Sequence, residues 1–164
     1  MLILGIDPGT AIMGYGLIKK EGYRLIPITY SCWRTSSDVP MPQRLKKLYR
    51  CMNELMHKYS PDVMAIEELF FNRNTTTALA VGQARGIALL SAAENDIRVF
   101  EYTPLQVKQA VVGYGKADKK QVQFMVKSLL SLKEDPKPDD TADALAIAIC
   151  HAYSMGQSYG GLRK

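Results

Sequence analysis

The first pattern in the chain is a short apolar run that ends in an acidic side chain. Residues 1–6 are apolar and a Pro-Gly pair stands at 8–9, which predicts a buried strand closed by a turn. Alternation along this strand places Asp7 on the same face as Ile3 and Gly5. A carboxylate at the end of a buried strand is costly unless it gains a cation, hydrogen-bond donors or a raised pKa. Asp7 is therefore either a cap for the turn or a candidate functional residue.

Two further strands are expected to follow as an antiparallel meander. The patterns at 12–20 and 23–35 alternate and are separated by turn residues. Gly14 and Gly16 would lie beside Asp7 in such a hairpin, and glycine inside a strand often indicates a close backbone approach. Pro27 indicates an edge strand or a bulge, because proline cannot donate to a sheet ladder.

Beyond residue 42 the hydrophobic period changes to that of a helix. The stretch from Pro42 to Ser60 has apolar residues at i, i+3, i+4 and i+7, which predicts an amphipathic helix. A fourth strand, 62–69, leads into Glu67 and Glu68. The remaining predicted elements are a helix at 75–94, a strand at 97–102, and helices at 104–112, 118–132 and 140–153. A meander joined to βα crossovers predicts an α/β fold, a five-stranded mixed sheet flanked by helices.

Length and composition indicate one globular domain. We expect it to span residues 1–155, followed by a flexible C-terminal tail at 156–164. No uncharged apolar run approaches the ~18 residues that a membrane span requires. The three cysteines are odd in number and lack metal-ligand spacing, so they predict free thiols and a cytoplasmic location.

Three predicted element ends present carboxylates. They are Asp7, Glu67 or Glu68, and the pair Asp140 and Asp143, which share a helix face. The pair alone is also typical of helix capping, although Asp139 is the better candidate for a cap. Clustered carboxylates repel each other unless a cation joins them, and hard oxygen ligands favour Mg²⁺ or Mn²⁺. Two such ions about 4 Å apart can stabilise phosphodiester hydrolysis.

Net charge points to an anionic partner. The chain carries +5 at pH 7. If the four candidate carboxylates form one site, the remaining 21 basic and 12 acidic side chains give +9. An acidic centre within a basic surface is expected of a metal-dependent enzyme that acts on a polyanion.

Five short motifs occur in order between residue 2 and about residue 153. They are Gly5–Gly9, Ala65–Phe70, Gly82–Gly86, Gln106–Gln109 and Asp140–Ala146. Together they resemble the RuvC family, the bacterial Holliday junction resolvases. The last motif departs from the family pattern by having Thr141 in place of alanine, at a position expected to face away from the metals.

This resemblance implies an RNase H-like fold, a homodimer and Mg²⁺-dependent nicking of four-way junction DNA. By motif match it selects Glu67 over Glu68 and Asp140 over Asp139. The implied catalytic and metal-binding set is Asp7, Glu67, Asp140 and Asp143, with two Mg²⁺ per active site and Mn²⁺ as a substitute. The resemblance also implies docking to the branch-migration helicase complex of RuvA and RuvB.

The DNA contacts have two sources. The resemblance implies that Phe70 enters the junction and that Lys108 and Lys119 lie near the scissile strand. Charge and position in predicted loops add Arg73 and Lys116, which could equally be solvated cations.

Three other functions were weighed. Actin-like ATPases and sugar kinases also begin with Gly-Ile-Asp-x-Gly-Thr, but they need two such domains and a second glycine-rich phosphate loop. A related RNase H-like nuclease acting on RNA or single strands is the nearer alternative. A junction-binding module without catalysis would gain nothing from four mutually repelling acids.

Overall fold

The computed structural model describes residues 1–68 and 75–157, which form five strands and five helices. The strands are β1 (Leu2–Asp7), β2 (Ile12–Glu21), β3 (Arg24–Arg34), β4 (Val63–Glu67) and β5 (Arg98–Tyr102). The helices are α1 (Met41–Tyr59), α2 (Thr75–Glu94), α3 (Pro104–Val112), α4 (Lys119–Leu129) and α5 (Asp139–Gln157). This confirms the predicted mixed sheet flanked by helices.

The five strands lie in the order β3-β2-β1-β4-β5. The first three form the predicted antiparallel meander, whereas β4 pairs in parallel with both β1 and β5. The β2–β3 register shifts between Leu17 and Ile18, where Thr29 and Pro27 are the partners and Ile28 is passed over. Pro27 thus lies on an edge strand next to an irregularity, as its missing N–H requires.

Each face of the sheet is covered by its own helices and its own hydrophobic core. Ile3, Val63 and Ala65 face a core with α3, α4 and α5. Leu4, Ile6 and the other side chains of opposite phase face a second core with α1 and α2. The alternation predicted for β1 is confirmed, and it assigns Asp7 to the face that α5 covers.

Several predicted boundaries were wrong. β4 ends at Glu67 rather than at residue 69, and α4 ends at Leu129 rather than near Leu132. Leu130 is nonetheless buried and Leu132 packs against the same core, so the apolar pattern continues after the backbone has turned. The backbone turns at Ser131, whose φ is 51°.

The end of the chain is only partly described. Helix α5 runs to Gln157, and residues 158–164 of the predicted tail lie outside the described residues. In the described ranges, no helix has both the length and the hydropathy needed to cross a membrane.

Candidate active site

Sheet register places two of the predicted acids side by side. β1 and β4 are parallel neighbours, with Gly5 opposite Ala65 and Ile6 opposite Ile66. The next residues along the two strands are Asp7 and Glu67, and both are in phase with the α5 face. Glu68 follows the end of β4 and is exposed. The structure therefore places Glu67, rather than Glu68, beside Asp7.

Glycines allow α5 to lie unusually close to this edge of the sheet. A Cβ at Gly5 would overlap the carbonyl oxygen of Ala144, and one at Gly14 would overlap the carbonyl oxygen of Asp140. Gly14 is also the register partner of Asp7. The close approach predicted for Gly14 is therefore made by the first turn of α5, which brings Asp140 and Asp143 to the ends of β1 and β4.

Asp7 lies at the electrostatic centre of this group. Burial, followed by the carboxylates of Asp143, Glu67 and Asp140 in that order of effect, raises the pKa of Asp7 from 3.8 to about 8. Lys119 acts in the opposite direction. A cation would stabilise the ionised form of a carboxyl group whose pKa is raised in this way, because it would offset both the burial cost and the repulsion.

Glu67 and Asp143 line a cavity of about 310 Å³, together with Lys108 and Lys119. Burial raises the pKa of Glu67 and of Asp143, and Asp143 adds to the effect on Glu67. Lys119 opposes this rise for both groups, and Lys108 also opposes it for Glu67. Burial alone would lower the pKa of Lys119, but its contacts with Asp143 and Asp139 raise it.

In the described ranges no three His, Cys, Asp or Glu side chains converge at metal-ligand distances. The acids of α5 face in different directions. Lys119 draws Asp143 towards α4, with Nζ 3.3 Å from Oδ2, and Asp140 lines a neighbouring open groove with Arg34 and Lys137. The donor set nevertheless fits a hard divalent cation, since it consists of carboxylate oxygens around the half-buried Asp7.

Asp139 does not act as predicted. It is the first residue of α5 rather than the residue before the helix, and Thr141 donates its backbone N–H to the carbonyl of Pro138. The Asp139 carboxylate instead contacts side chains of α4, Lys119 and Gln123. Its carboxylate therefore joins two helices instead of capping one.

Arg85 is a residue that sequence reasoning gave no role. Its side chain is buried in α2, where it donates to the carbonyl oxygen of Glu67 at 2.6 Å and pairs with Glu101 of β5, also at 2.6 Å. It therefore fixes the end of β4, from which the Glu67 side chain projects. The motif Gly82–Gly86 contains this arginine, but nothing local in the sequence shows that its partners lie on β4 and β5.

Three of the five predicted DNA contacts lie in the part of the chain that the structure describes. Lys108 and Lys119 line the cavity, and Lys116 is exposed on the loop that precedes α4. That loop is held in place by Ala117, which is buried and donates its backbone N–H to the carbonyl of Tyr114. Phe70 and Arg73 lie outside the described residues.

A five-stranded mixed sheet with acids at adjacent strand ends and on a crossing helix defines a nuclease of the RNase H-like class. The family described as "Crossover junction endodeoxyribonuclease RuvC" matches residues 3–151. The crossover junction endodeoxyribonuclease RuvC of Desulfitobacterium hafniense is 66% identical over 155 residues, covering 94% of both chains, and that of Desulforamulus reducens is 66% identical over 161 residues, covering 98% of both. The solved structure of Thermus thermophilus RuvC in complex with Holliday junction substrate is similar with a TM-score of 0.91, at 38% identity and 96% coverage of each chain.

The chain therefore belongs to the RuvC family, and it is an endodeoxyribonuclease that resolves Holliday junctions. Nucleases of this family require divalent metal ions. The family-level prediction made from the five motifs is confirmed.

Proposed function

We propose that the chain resolves four-way DNA junctions by paired, symmetric nicks, with Asp7, Glu67, Asp140 and Asp143 as its catalytic and metal-binding residues. The observation that carries this proposal is the environment of Asp7. Its pKa is raised to about 8 by burial and by three other acids, and two of those acids, Glu67 and Asp143, line a cavity with two lysines. A structural cap for a turn would need neither the other acids nor the cavity.

The four acids have different positions and therefore different tasks. Asp7 is central, because the other three acids all act on its carboxyl group, so it is suited to contact two cations at once. Glu67 and Asp143 face the cavity, and Asp140 faces the neighbouring groove. Two Mg²⁺ ions, for which Mn²⁺ can substitute, would supply the charge that stabilises the attacking and leaving oxygens of the phosphodiester.

Basic side chains near the acids would hold the DNA backbone. Lys108 and Lys119 are close enough to lower the pKa of Glu67, so they are within electrostatic reach of a phosphate in the cavity. Lys116 extends the positive surface from the next loop. Phe70 and Arg73 follow β4 in sequence, and we assign them to contacts at the branch point, where an aromatic ring can stack on an unpaired base.

Paired nicks require two active sites, so we propose a homodimer. The exposed face of α2 supports this: Leu79 and Leu90 are 68% and 50% exposed, and Gly86 lies between them with open space at its Cβ position. Docking of the dimer to RuvA and RuvB, and action in the cytoplasm where chromosomal DNA is located, are further parts of the proposal and follow from family membership.

The test is a nicking assay on a mobile four-way junction with Mg²⁺, Mn²⁺ or EDTA. Asp7→Asn and Glu67→Gln should retain junction binding and lose nicking, because each removes a charge that holds the cations. Glu68→Gln is the matched control, since Glu68 is the next residue and is exposed. Loss of binding together with nicking in Asp7→Asn would indicate a structural role, and an inactive Glu68→Gln would contradict the assignment of Glu67.

A further inference from the structure

Two helices are joined by a small polar network at the mouth of the cavity. The Lys119 ammonium lies 3.3 Å from Asp143 Oδ2 and 3.4 Å from Asp139 Oδ2. The Gln123 side-chain amide donates to Asp139 Oδ1 at 2.8 Å. Lys119 and Gln123 are four residues apart on α4, and Asp139 and Asp143 are four apart on α5, so each pair shares one helix face. Lys119 therefore has two carboxylate partners, and Gln123 fixes one of them, Asp139.

The two carboxylates that share Lys119 are not equivalent. The Asp143 side chain is 31% exposed and lines the cavity with Glu67. The Asp139 side chain is 59% exposed and lines the adjoining open groove. Under the proposed function Asp143 is a ligand of a divalent cation, and an ammonium paired with the same oxygens would compete with that cation. Asp139 has no such second task.

We propose that Asp139 is a positioning residue: it shares the Lys119 ammonium with Asp143 and offers it an alternative partner at the mouth of the cavity when a cation takes Asp143. This inference rests on the proposed function, because that function assigns Asp143 to the cation. Lysine carries a point charge on a flexible four-carbon stem, so its location depends on the partner that it contacts. Asp139, fixed in turn by Gln123, supplies that alternative partner, so Lys119 can release Asp143 to a cation and still remain where a DNA phosphate would meet it.

The same helix provides a matched control. Lys127 Nζ lies 3.0 Å from Asp135 Oδ1, which is an ordinary exposed pair at the other end of α4. Such pairs contribute little to stability. If the Lys119–Asp139 pair were also only a surface ion pair, neutralising Asp139 or Asp135 should have the same small effect on the cleavage rate and on Mn²⁺ affinity.

The experiment compares Asp139→Asn with Asp135→Asn in the full chain. The amide of the Asp139→Asn variant would retain an oxygen for Gln123 but lose the charge that holds Lys119. We expect the single-turnover cleavage rate at saturating enzyme to fall roughly two- to fivefold, the range set by an exposed ion pair, with little change in junction Kd measured in EDTA. Asp139→Glu should restore most of the rate, and Asp135→Asn should leave both quantities unchanged.

A second measurement does not depend on activity. Mn²⁺ binding to the free protein, followed by electron paramagnetic resonance, should weaken in Asp139→Asn because Lys119 then pairs with Asp143 alone. In a Lys119→Met background the Asp139→Asn change should have much less effect on Mn²⁺ affinity, since no ammonium remains to compete. Melting temperatures of all variants establish that each is folded.

The outcomes separate the two proposals. If Asp7→Asn still nicks junctions, the proposed function fails. If Asp7→Asn is inactive but Asp139→Asn matches Asp135→Asn in rate and Mn²⁺ affinity, only the role of Asp139 is overturned. An Asp139→Asn effect on Mn²⁺ binding that is equally large with Lys119→Met would also overturn it, because the effect would then be a general loss of negative charge.

Discussion

The Asp7 side chain, to which we assign a catalytic role, is expected to oppose folding when no cation is bound. Its pKa is raised from 3.8 to about 8, so in the absence of a cation the folded chain keeps a proton that the unfolded chain releases between these pH values. Stability of the metal-free protein is therefore expected to fall as the pH rises through this window. A cation would reverse the effect, because it favours the ionised carboxylate.

This gives a prediction for metal-free protein in EDTA. Asp7→Asn cannot titrate, so its melting temperature should fall less between pH 6 and pH 8 than that of the wild type. We expect a difference of several degrees, since ~1 kcal/mol shifts the melting temperature of a chain of this size by about 2–4 °C. Thermal denaturation followed by circular dichroism measures it. Equal slopes for the two proteins would show that Asp7 is ionised without a cation.

His151 titrates with the opposite sign and must be separated from Asp7. It is buried, its Nδ1 lies 2.7 Å from the Tyr102 hydroxyl, and burial followed by the charges of Lys20 and Arg98 lowers its pKa from 6.5 to about 4. Its contribution is complete above pH 6.5 and is lost as the pH falls towards 4. Because both proteins retain His151 and the comparison begins at pH 6, the difference between them reports Asp7.

At the scale of residues, the sequence predicts where Asp7 and Glu67 lie on their strands better than it predicts which side chains contact each other. The position of Asp7 at a strand end and the phase of Glu67 follow from period-two alternation, which is a local property. The bond from Arg85 to the Glu67 carbonyl and the contact of Lys119 with Asp139 join elements that are distant in sequence. No spacing rule within one element could have revealed them, and this is why Asp139 was wrongly assigned as a cap.

At the scale of elements, the site depends on how closely α5 packs on β1 and β2. Gly14 lies opposite Asp7, and its missing Cβ leaves space for the carbonyl of Asp140. Gly16, two residues along β2, faces the Leu145 side chain instead, with a Cβ position 2.6 Å from Leu145 Cδ2. The neighbour of Gly14 is a backbone carbonyl oxygen 2.0 Å from the Cβ position, whereas at Gly16 the two nearest atoms belong to the Leu145 side chain and the Leu145 Cα lies 3.1 Å away. The two glycines should therefore affect the position of α5 differently when they are replaced by alanine.

We therefore predict that Gly14→Ala moves the first turn of α5 and weakens the site. The expected cost is roughly 1–3 kcal/mol of folding stability, typical of overpacking, together with a loss of Mn²⁺ affinity because Asp140 and Asp143 are displaced. Gly16→Ala is the control: a similar cost in urea denaturation but nearly unchanged Mn²⁺ affinity. Equal Mn²⁺ affinities for the two variants would contradict a positioning role for Gly14.

Element types were predicted well, and their ends less well. The helix at 75–94 and the helix at 104–112 have the predicted bounds, and α4 begins with a capping box of Asp118 and Gln121. The end of α4 was missed because Leu130 and Leu132 continue the apolar period after the helix has stopped. Hydrophobic periodicity reports which side chains are buried, and buried side chains can also follow a turn.

At the scale of the whole molecule, the net charge of +5 combines an acidic edge with a basic remainder. The excess of lysine and arginine predicts a salt-dependent affinity for DNA, because phosphate contacts release counterions. The acids do not oppose this binding once cations neutralise them. The net charge therefore predicts the type of partner. The number of active sites that meet one junction depends instead on how many chains assemble.

The last prediction concerns that assembly. A four-way junction has near two-fold symmetry, and one chain has one set of acids, so two nicks made in place require two chains related by a two-fold axis. Gly86 lies on the exposed face of α2 with no atom within 4 Å of its Cβ position, so the monomer should tolerate a large charged residue there. Gly86→Glu should therefore keep the fold but sediment as a monomer, whereas we expect the wild type to sediment as a dimer without DNA. Mixed dimers of wild-type and Asp7→Asn chains should nick one strand and rarely complete resolution. Paired nicks at the full rate from a stable monomer would contradict both the dimer and the role of α2 in forming it.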